Sequence, residues 1–316
     1  MLRLLAAMLV LASASALAQY PDRPIRIVNP FAAGGSGDIV TRIVTQKIAE
    51  NTGKTFVLEA RTGAAGRIGY EAGVRSPGDG YTLVLTDTTY TMMPALYGSL
   101  PWHTPGALVP VVNLATSPFL VIVRSDLKAA TLRDLIAMAK ANPGKLNYGS
   151  AGTGSINHVT TELFKREAGI DIVHIPYKGM SDAVTGLVSG SVDMLMIGIL
   201  PISSHLSSGK ATALAIAAPA RSAGVPNVPT TDEAGLTGYR GGNWFGWTAP
   251  AGTPTEAVDW LVREVTKALS APDVRERLLA QGVVPSGLAR DDFAKILRDD
   301  AARWTTVMRD AGIKAE

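Results

Sequence analysis

Cysteine is absent from the 316 residues, which excludes a disulfide framework, thiol catalysis and a lipid-anchoring cysteine behind a leader. Long blocks of one charge are missing as well. Charged residues make up 18% of the chain and the formal net charge is +3, with Arg3 in a segment expected to be removed. No run of five or six like charges occurs, so nucleic acid and membrane surfaces have no electrostatic footprint here. The four histidines, His103, His158, His174 and His205, are spread along the sequence. No His-Glu-x-x-His, no Gly-x-Ser-x-Gly and no clustered metal-ligand spacing is found, so no catalytic set, metal or cofactor is expected. Carboxylates can still meet in space without a sequence signal, which keeps a secreted α/β enzyme acting on a carboxylate as the alternative.

What is present begins with the N-terminus. "MLRLLAAMLVLASASALAQ" has one basic residue, an apolar run from Leu4 to Ala12 and the small-x-small ending Ala16-Leu17-Ala18. This pattern is expected to be a secretory signal, residues 1–18, cleaved after Ala18; its apolar part is too short to cross a membrane and stay. Apolar residues at 47% fit an ordinary folded protein.

From Pro24 the chain alternates short apolar runs with amphipathic stretches, the signature of an α/β fold with parallel strands covered on both faces. "IRIVNPF", "TFVLEA" and "YTLVLTD" read as strands, with a helix from Ile39 to Asn51 between the first two. "ALVPVVNLATSPFLVIVRSD" holds two strand-like runs joined at Ser117-Pro118 with no helix between them, suited to a walk from one sheet to another. The alternation then restarts, and "NWFGWTAPAGTP" offers a second crossing before the helical C-terminus. Two α/β lobes are therefore expected, joined by two crossing strands: 19–118 with 245–316, and an inserted lobe at 119–244.

Two glycine-rich bends carry the functional argument. In "VNPFAAGGSGDIVTRIV" a strand breaks at Asn29-Pro30 and a helix follows Gly34, Gly35 and Gly37. Strand, glycine bend and helix together present backbone N–H groups to an anion. The dinucleotide fingerprint fails, because Val40 stands where its third glycine belongs, and "TGKTF" lacks the first glycine of a phosphate loop. "GSAGTGSIN", Gly149 to Asn157, repeats the arrangement in the second lobe with Ser150, Thr153 and Ser155 as hydroxyl donors or caps. Each helix start contributes roughly 0.3–1 kcal/mol toward an anion and each charged hydrogen bond about 1.5–3 kcal/mol. A micromolar site needs about 8 kcal/mol net, so one bend is marginal and two closing on one carboxylate suffice. Further candidates are Asp87 and Thr88 after the third strand, set against a plain helix cap, and Tyr177 with Lys178 at the end of "HIPYKG", set against a solvated lysine.

At this point the residues resemble a known family. "PFAAGG", "NYGSAGTG" and "PYKG", together with "LEARTGAAGRIGYEAG", "PGDGYTLVLTDTT", "VPTTDEAGL" and "NWFGWTAPAGTP", are similar in order to the Bug-type substrate receptors of tripartite tricarboxylate transporters. The resemblance implies a two-lobed, type II-like periplasmic binding-protein fold and a periplasmic monomer. It implies capture of a small organic carboxylate, membrane permease subunits as partners, and no enzymatic activity. A receptor signalling to a sensor kinase is the other job such a fold performs. Carried over residue by residue, the ligand contacts are Phe31, Ala32, Gly34, Gly35 and Asp38, then Ser150, Gly152, Thr153, Gly154 and Ser155. One departure stands out: many relatives carry Asp-Asn after the strand equivalent to "VDMLM", where this chain has Ile197 and Gly198. Met196, Ile197 and Ile199 then form either an apolar ligand wall, which ranks aliphatic and aromatic acids above amino acids, or simply a buried strand.

Overall fold

The computed structural model of the chain describes residues 20–31, 33–104 and 106–314. The expected signal segment and Ala32 lie outside the described residues. The first strand, β1 (Ile25–Asn29), leads to α1 (Ser36–Thr52), which starts at the bend itself rather than at the expected Ile39. β2 (Phe56–Ala60), α2 (Arg67–Val74), β3 (Thr82–Asp87) and α3 (Thr88–Tyr97) follow. β4 (Leu108–Pro118) runs almost directly into β5 (Leu120–Arg124), with only Phe119 between them. The inserted part continues with α4 (Leu132–Ala141), β6 (Asn147–Ser150), α5 (Ile156–Ala168), β7 (Val173–Pro176), α6 (Met180–Val188), β8 (Met194–Ile197), the short α7 (Ser203–Ser207) and β9 (Ala211–Ile216). β10 (Gly242–Pro250), α8 (Thr255–Ser270), α9 (Pro272–Ala280), β11 (Val284–Pro285) and α10 (Arg290–Asp310) complete the chain.

The strands build two sheets, in the orders β11-β4-β10-β3-β1-β2 and β7-β6-β8-β5-β9. Only the β3-β1-β2 and β7-β6-β8 portions are parallel; the long crossing strands enter antiparallel to their neighbours. The sheets are thus mixed rather than purely parallel, because a strand that walks between sheets cannot be returned by a helical crossover. In β5 the alternation of a strand explains the unbroken apolar run. Leu120 and Ile122 face one core and Val121 and Val123 another, so both faces are covered.

The first crossing is at Phe119, as the Ser117-Pro118 junction suggests. The second falls before "NWFGWTAP", because Gly242 already pairs with Pro118 inside the first sheet. Phe119 N donates to Gly241 O (2.9 Å) and Ala217 N donates to Phe119 O (2.8 Å), which clasps the two connections together. A large apolar cluster spans the connection and includes Met92 and Leu96 of α3, Phe119, Phe164 of α5, Tyr239 and Trp304 of α10. α10 joins the two parts: Phe293 packs on Trp244 of β10 in the first sheet (ring centroids 5.2 Å apart) and Asp310 pairs with Arg166 of α5 in the inserted part (3.2 Å). Among the described residues no helix is long and apolar enough to cross a membrane.

Candidate functional site

The first bend is shaped by Asp38. Its carboxylate is buried, turned back from α1, and accepts hydrogen bonds from Gly34 N (3.0 Å), Arg42 Nε (2.8 Å) and Asn29 Nδ2 (3.4 Å). Burial works to raise its pKa, but the Arg42 and Gly34 hydrogen bonds outweigh it and hold the carboxyl below its ordinary value. Asp38 therefore supports the bend and its carboxylate is committed to protein donors. Gly34 has φ +83°, a left-handed backbone that favours glycine. Gly35 caps α1 with no side chain, so the N–H groups of Ser36 and Gly37 have no partner among the described residues. Phe31 donates its N–H to Asn29 Oδ1 (3.0 Å) and sets its half-buried ring edge-on to Tyr70.

α3 starts differently, with its first N–H groups closed by protein. Asp87 Oδ1 accepts Thr89 N (2.9 Å) and the Tyr70 hydroxyl (2.7 Å), while Asp87 Oδ2 accepts Asn243 Nδ2 (2.9 Å). Asn243 Oδ1 takes the Thr88 N–H (3.1 Å), and Thr88 Oγ1 accepts the Trp244 N–H (3.4 Å). Burial pushes the Asp87 pKa above its ordinary value despite these donors, and burial together with the Asp87 charge pushes Tyr70 far up. At Asp87 and Thr88 the structure shows the helix cap, locked to the crossing strand.

The second bend joins β6 to α5. Gly152 and Gly154 have φ +113° and +77°. Ser155 caps the helix by accepting His158 N (3.3 Å), which leaves the N–H groups of Ile156 and Asn157, and of Thr153 in the bend, without a partner among the described residues. Gly152 N donates to Ser150 Oγ (3.1 Å), and Ser150 Oγ lies 2.6 Å from His174 Nε2. A Cβ on Gly154 would collide with the Leu96 side chain of α3. This contact ties the second bend to the first sheet's helices, and Tyr97 beside it donates to Ala64 O (3.1 Å) in the loop adjoining the first bend. Gly154→Ala is expected to destabilise the fold by about 2–4 kcal/mol, from left-handed strain and overpacking together. In a Leu96→Ala background the same glycine change should cost only the strain part; urea denaturation of both single variants and the double variant measures this, and an equal cost in the two backgrounds would refute the contact.

The remaining expected contacts divide. Lys178 is exposed, with no partner among the described residues. Tyr177 is turned inward: a Cβ on Gly186 would strike its hydroxyl, and one on Gly149 would come within 3.3 Å of its ring. Ile197 is 1% exposed and packs with Leu120 and Leu195 in the second sheet's core, so the buried-strand reading describes its side chain. Sequence reasoning missed Asn243 and Leu96, which left no sequence signal. His158, a few residues into the helix behind the second bend, reads from its place as a residue that packs or caps, and it does both, stacking on His174 and accepting the Gly154 N–H. Two surface cavities, about 650 Å³ beside Pro272 and Arg275 and about 380 Å³ between Lys165, Ile170 and Asp310, are lined by none of the bend residues. No group of three or more His, Cys, Asp or Glu among the described residues is placed to hold a metal ion.

Two sheets, two clasped crossings and a helix start with unpaired leading N–H groups in each half, among the described residues, are the features of a two-lobed solute-binding protein. Residues 40–313 match the family model described as tripartite tricarboxylate transporter family receptor, TctC, and the chain belongs to that family. BugT of Bordetella pertussis (strain Tohama I) is 35% identical over 297 residues, 93% of this chain and 91% of BugT. Among solved structures, Rpa4515 of R. palustris with adipate has a TM-score of 0.87 and 31% identity, covering 94% of this chain and 100% of that one. MatC (Rpa3494) from Rhodopseudomonas palustris with bound malate has a TM-score of 0.82 and 32% identity, covering 91% and 99%.

Proposed function

We propose that the protein captures a small organic carboxylate between its two bends and delivers it to a tripartite tricarboxylate-type membrane transporter. The observation that carries this reading is the pair of helix starts, one per sheet, whose leading N–H groups at Ser36 and Gly37 and at Ile156 and Asn157 find no protein acceptor among the described residues. Such groups favour an anion. The family match and the adipate and malate in the similar structures support a carboxylate. The lobes proposed to close on it are 19–118 with 245–316 and the inserted 119–244, hinged at Phe119 and Gly241. The bends at 31–35 and 152–155 are proposed to surround the carboxylate, with hydrogen bonds from the N–H groups of Ser36, Gly37, Thr153, Ile156 and Asn157, from the Thr153 and Ser155 hydroxyls, and from the Lys178 ammonium. Export by residues 1–18, a periplasmic location, a monomeric state and the absence of catalysis belong to the same proposal.

The ligand is proposed to lack an ammonium group. Ile197 and Gly198 offer no carboxylate, and Asp87 is already occupied by Tyr70, Thr89 and Asn243. Titration calorimetry with adipate, malate, benzoate, aspartate and glutamate tests this. Heat from a simple acid and none from the amino acids is expected; tight aspartate or glutamate binding with no simple acid bound would overturn it. Thr153→Ala with Ser155→Ala should raise the dissociation constant at least tenfold, since one charged hydrogen bond is worth about 1.5–3 kcal/mol. An unchanged constant refutes the site.

A further inference from the structure

Beneath the second bend lies a stack of rings that the carboxylate reading does not use. His158 and His174 are parallel, with centroids 3.9 Å apart and planes at 6°, and Tyr148 stacks on His174 at 4.9 Å. Gly154 N–H points down into this stack and donates to His158 Nδ1 at 3.0 Å, which requires that nitrogen to be unprotonated. On the other side His174 Nε2 meets Ser150 Oγ, which in turn accepts the Gly152 N–H. Both left-handed glycines of the bend are therefore held, Gly154 by the His158 imidazole and Gly152 by the Ser150 hydroxyl that meets His174. The groups left over, Thr153, Ile156 and Asn157 N–H, are the ones with no protein acceptor among the described residues.

We propose that His158, seated on His174, is a positioning residue of the binding site. By accepting the Gly154 N–H it fixes the turn of the bend and so aims the free N–H groups at the carboxylate. The inference rests on the second bend being a carboxylate site. The chemistry is specific to an acceptor at the Nδ1 position. Asparagine places an amide oxygen near that point, whereas phenylalanine keeps the stacked ring and offers no acceptor. Without it, Gly154 N–H is buried and unpaired, and the bend must turn to find another partner.

The test compares wild type, His158→Asn and His158→Phe by amide hydrogen exchange at Gly154, read by NMR without ligand, and by calorimetry with adipate and malate. Gly154 should be protected in wild type and His158→Asn and exchange at least tenfold faster in His158→Phe. The dissociation constant should stay within about threefold in His158→Asn and rise at least tenfold in His158→Phe. If His158→Phe does not fold, His158→Gln, which carries its acceptor one methylene further out, takes its place with the same expectation. Equal Gly154 protection in all variants overturns the proposal, as does unchanged affinity where protection is lost. If wild type binds neither acid, the choice of ligand fails, and Gly154 exchange still decides whether His158 holds the bend.

Discussion

Asp87→Ala is expected to lower the melting temperature by about 7 °C. The carboxylate is 5% exposed and holds three donors from three parts of the chain: Tyr70 of α2, Thr89 of α3 and Asn243 of β10. Alanine leaves those donors facing apolar surroundings, at about 1–3 kcal/mol for each group that finds no other partner. Partial relaxation brings the total to about 3–5 kcal/mol, and at about 2.1 cal/mol/K of unfolding entropy per residue a chain of this length shifts by about 1.5–2 °C per kcal/mol. The effect extends to the site, because Asn243 also caps α3 through Thr88 N, and α3 carries Leu96 against Gly154. Calorimetric melting of Asp87→Ala beside Asn243→Ala measures it. The two losses should be less than additive, since they cut the same network. A melting point within about 3 °C of wild type for Asp87→Ala would refute the arrangement.

Acidification is the second large effect. Burial, then His174 and then Lys165, push the His158 pKa from 6.5 down to about 3. An imidazole whose folded value is depressed is neutral in the native state and charged in the unfolded chain between those two values. Its stabilising contribution is full above pH 6.5 and is lost as the pH falls toward 3. Each pH unit in that window costs about a factor of ten in the folding equilibrium for one such group. Burial depresses His103 as well, which acts in the same direction. The other titratable groups beside His158 are Tyr148 and Glu162, joined by a 2.6 Å hydrogen bond, and Lys165, which pairs with Glu162. Asp38 contributes in the same sense but lower, below its ordinary carboxylate value. Urea unfolding at pH 7, 6 and 5 should show stability falling steadily in wild type and distinctly less in His158→Asn. Parallel curves for the two proteins would mean that His158 is not held neutral.

Much of the fold was legible from local features. The doubled apolar run around Ser117-Pro118 announced a strand that changes sheets, since no helix-forming stretch separates its halves. Both bends were legible for the same kind of reason. Gly34, Gly152 and Gly154 occupy left-handed backbone, and Ser155 caps the helix that follows. These requirements are satisfied within three or four residues, so composition and spacing disclose them.

What side chains do at the end of a strand was not legible. Asp38, Asp87, Tyr177 and Ile197 stand at or beside the bends and strand ends, and their side chains turn to Arg42, to Asn243, to the Gly186 face of α6 and to the second core. Chain position is local, whereas side-chain direction was set by partners that include distant parts of the chain. His158 and His174, scattered in the sequence, become a stacked pair because β6 and β7 are neighbours in the second sheet and α5 lies over them. The sequence by itself determined the two-sheet plan and a change of sheets beside the Ser117-Pro118 junction, because backbone conformation and apolar periodicity are local properties, and its motifs carried the family. The tertiary structure alone decided which N–H groups remain unpaired and which polar side chains are already occupied, because that depends on sheet order, which joins residues as far apart as Asp87 and Asn243.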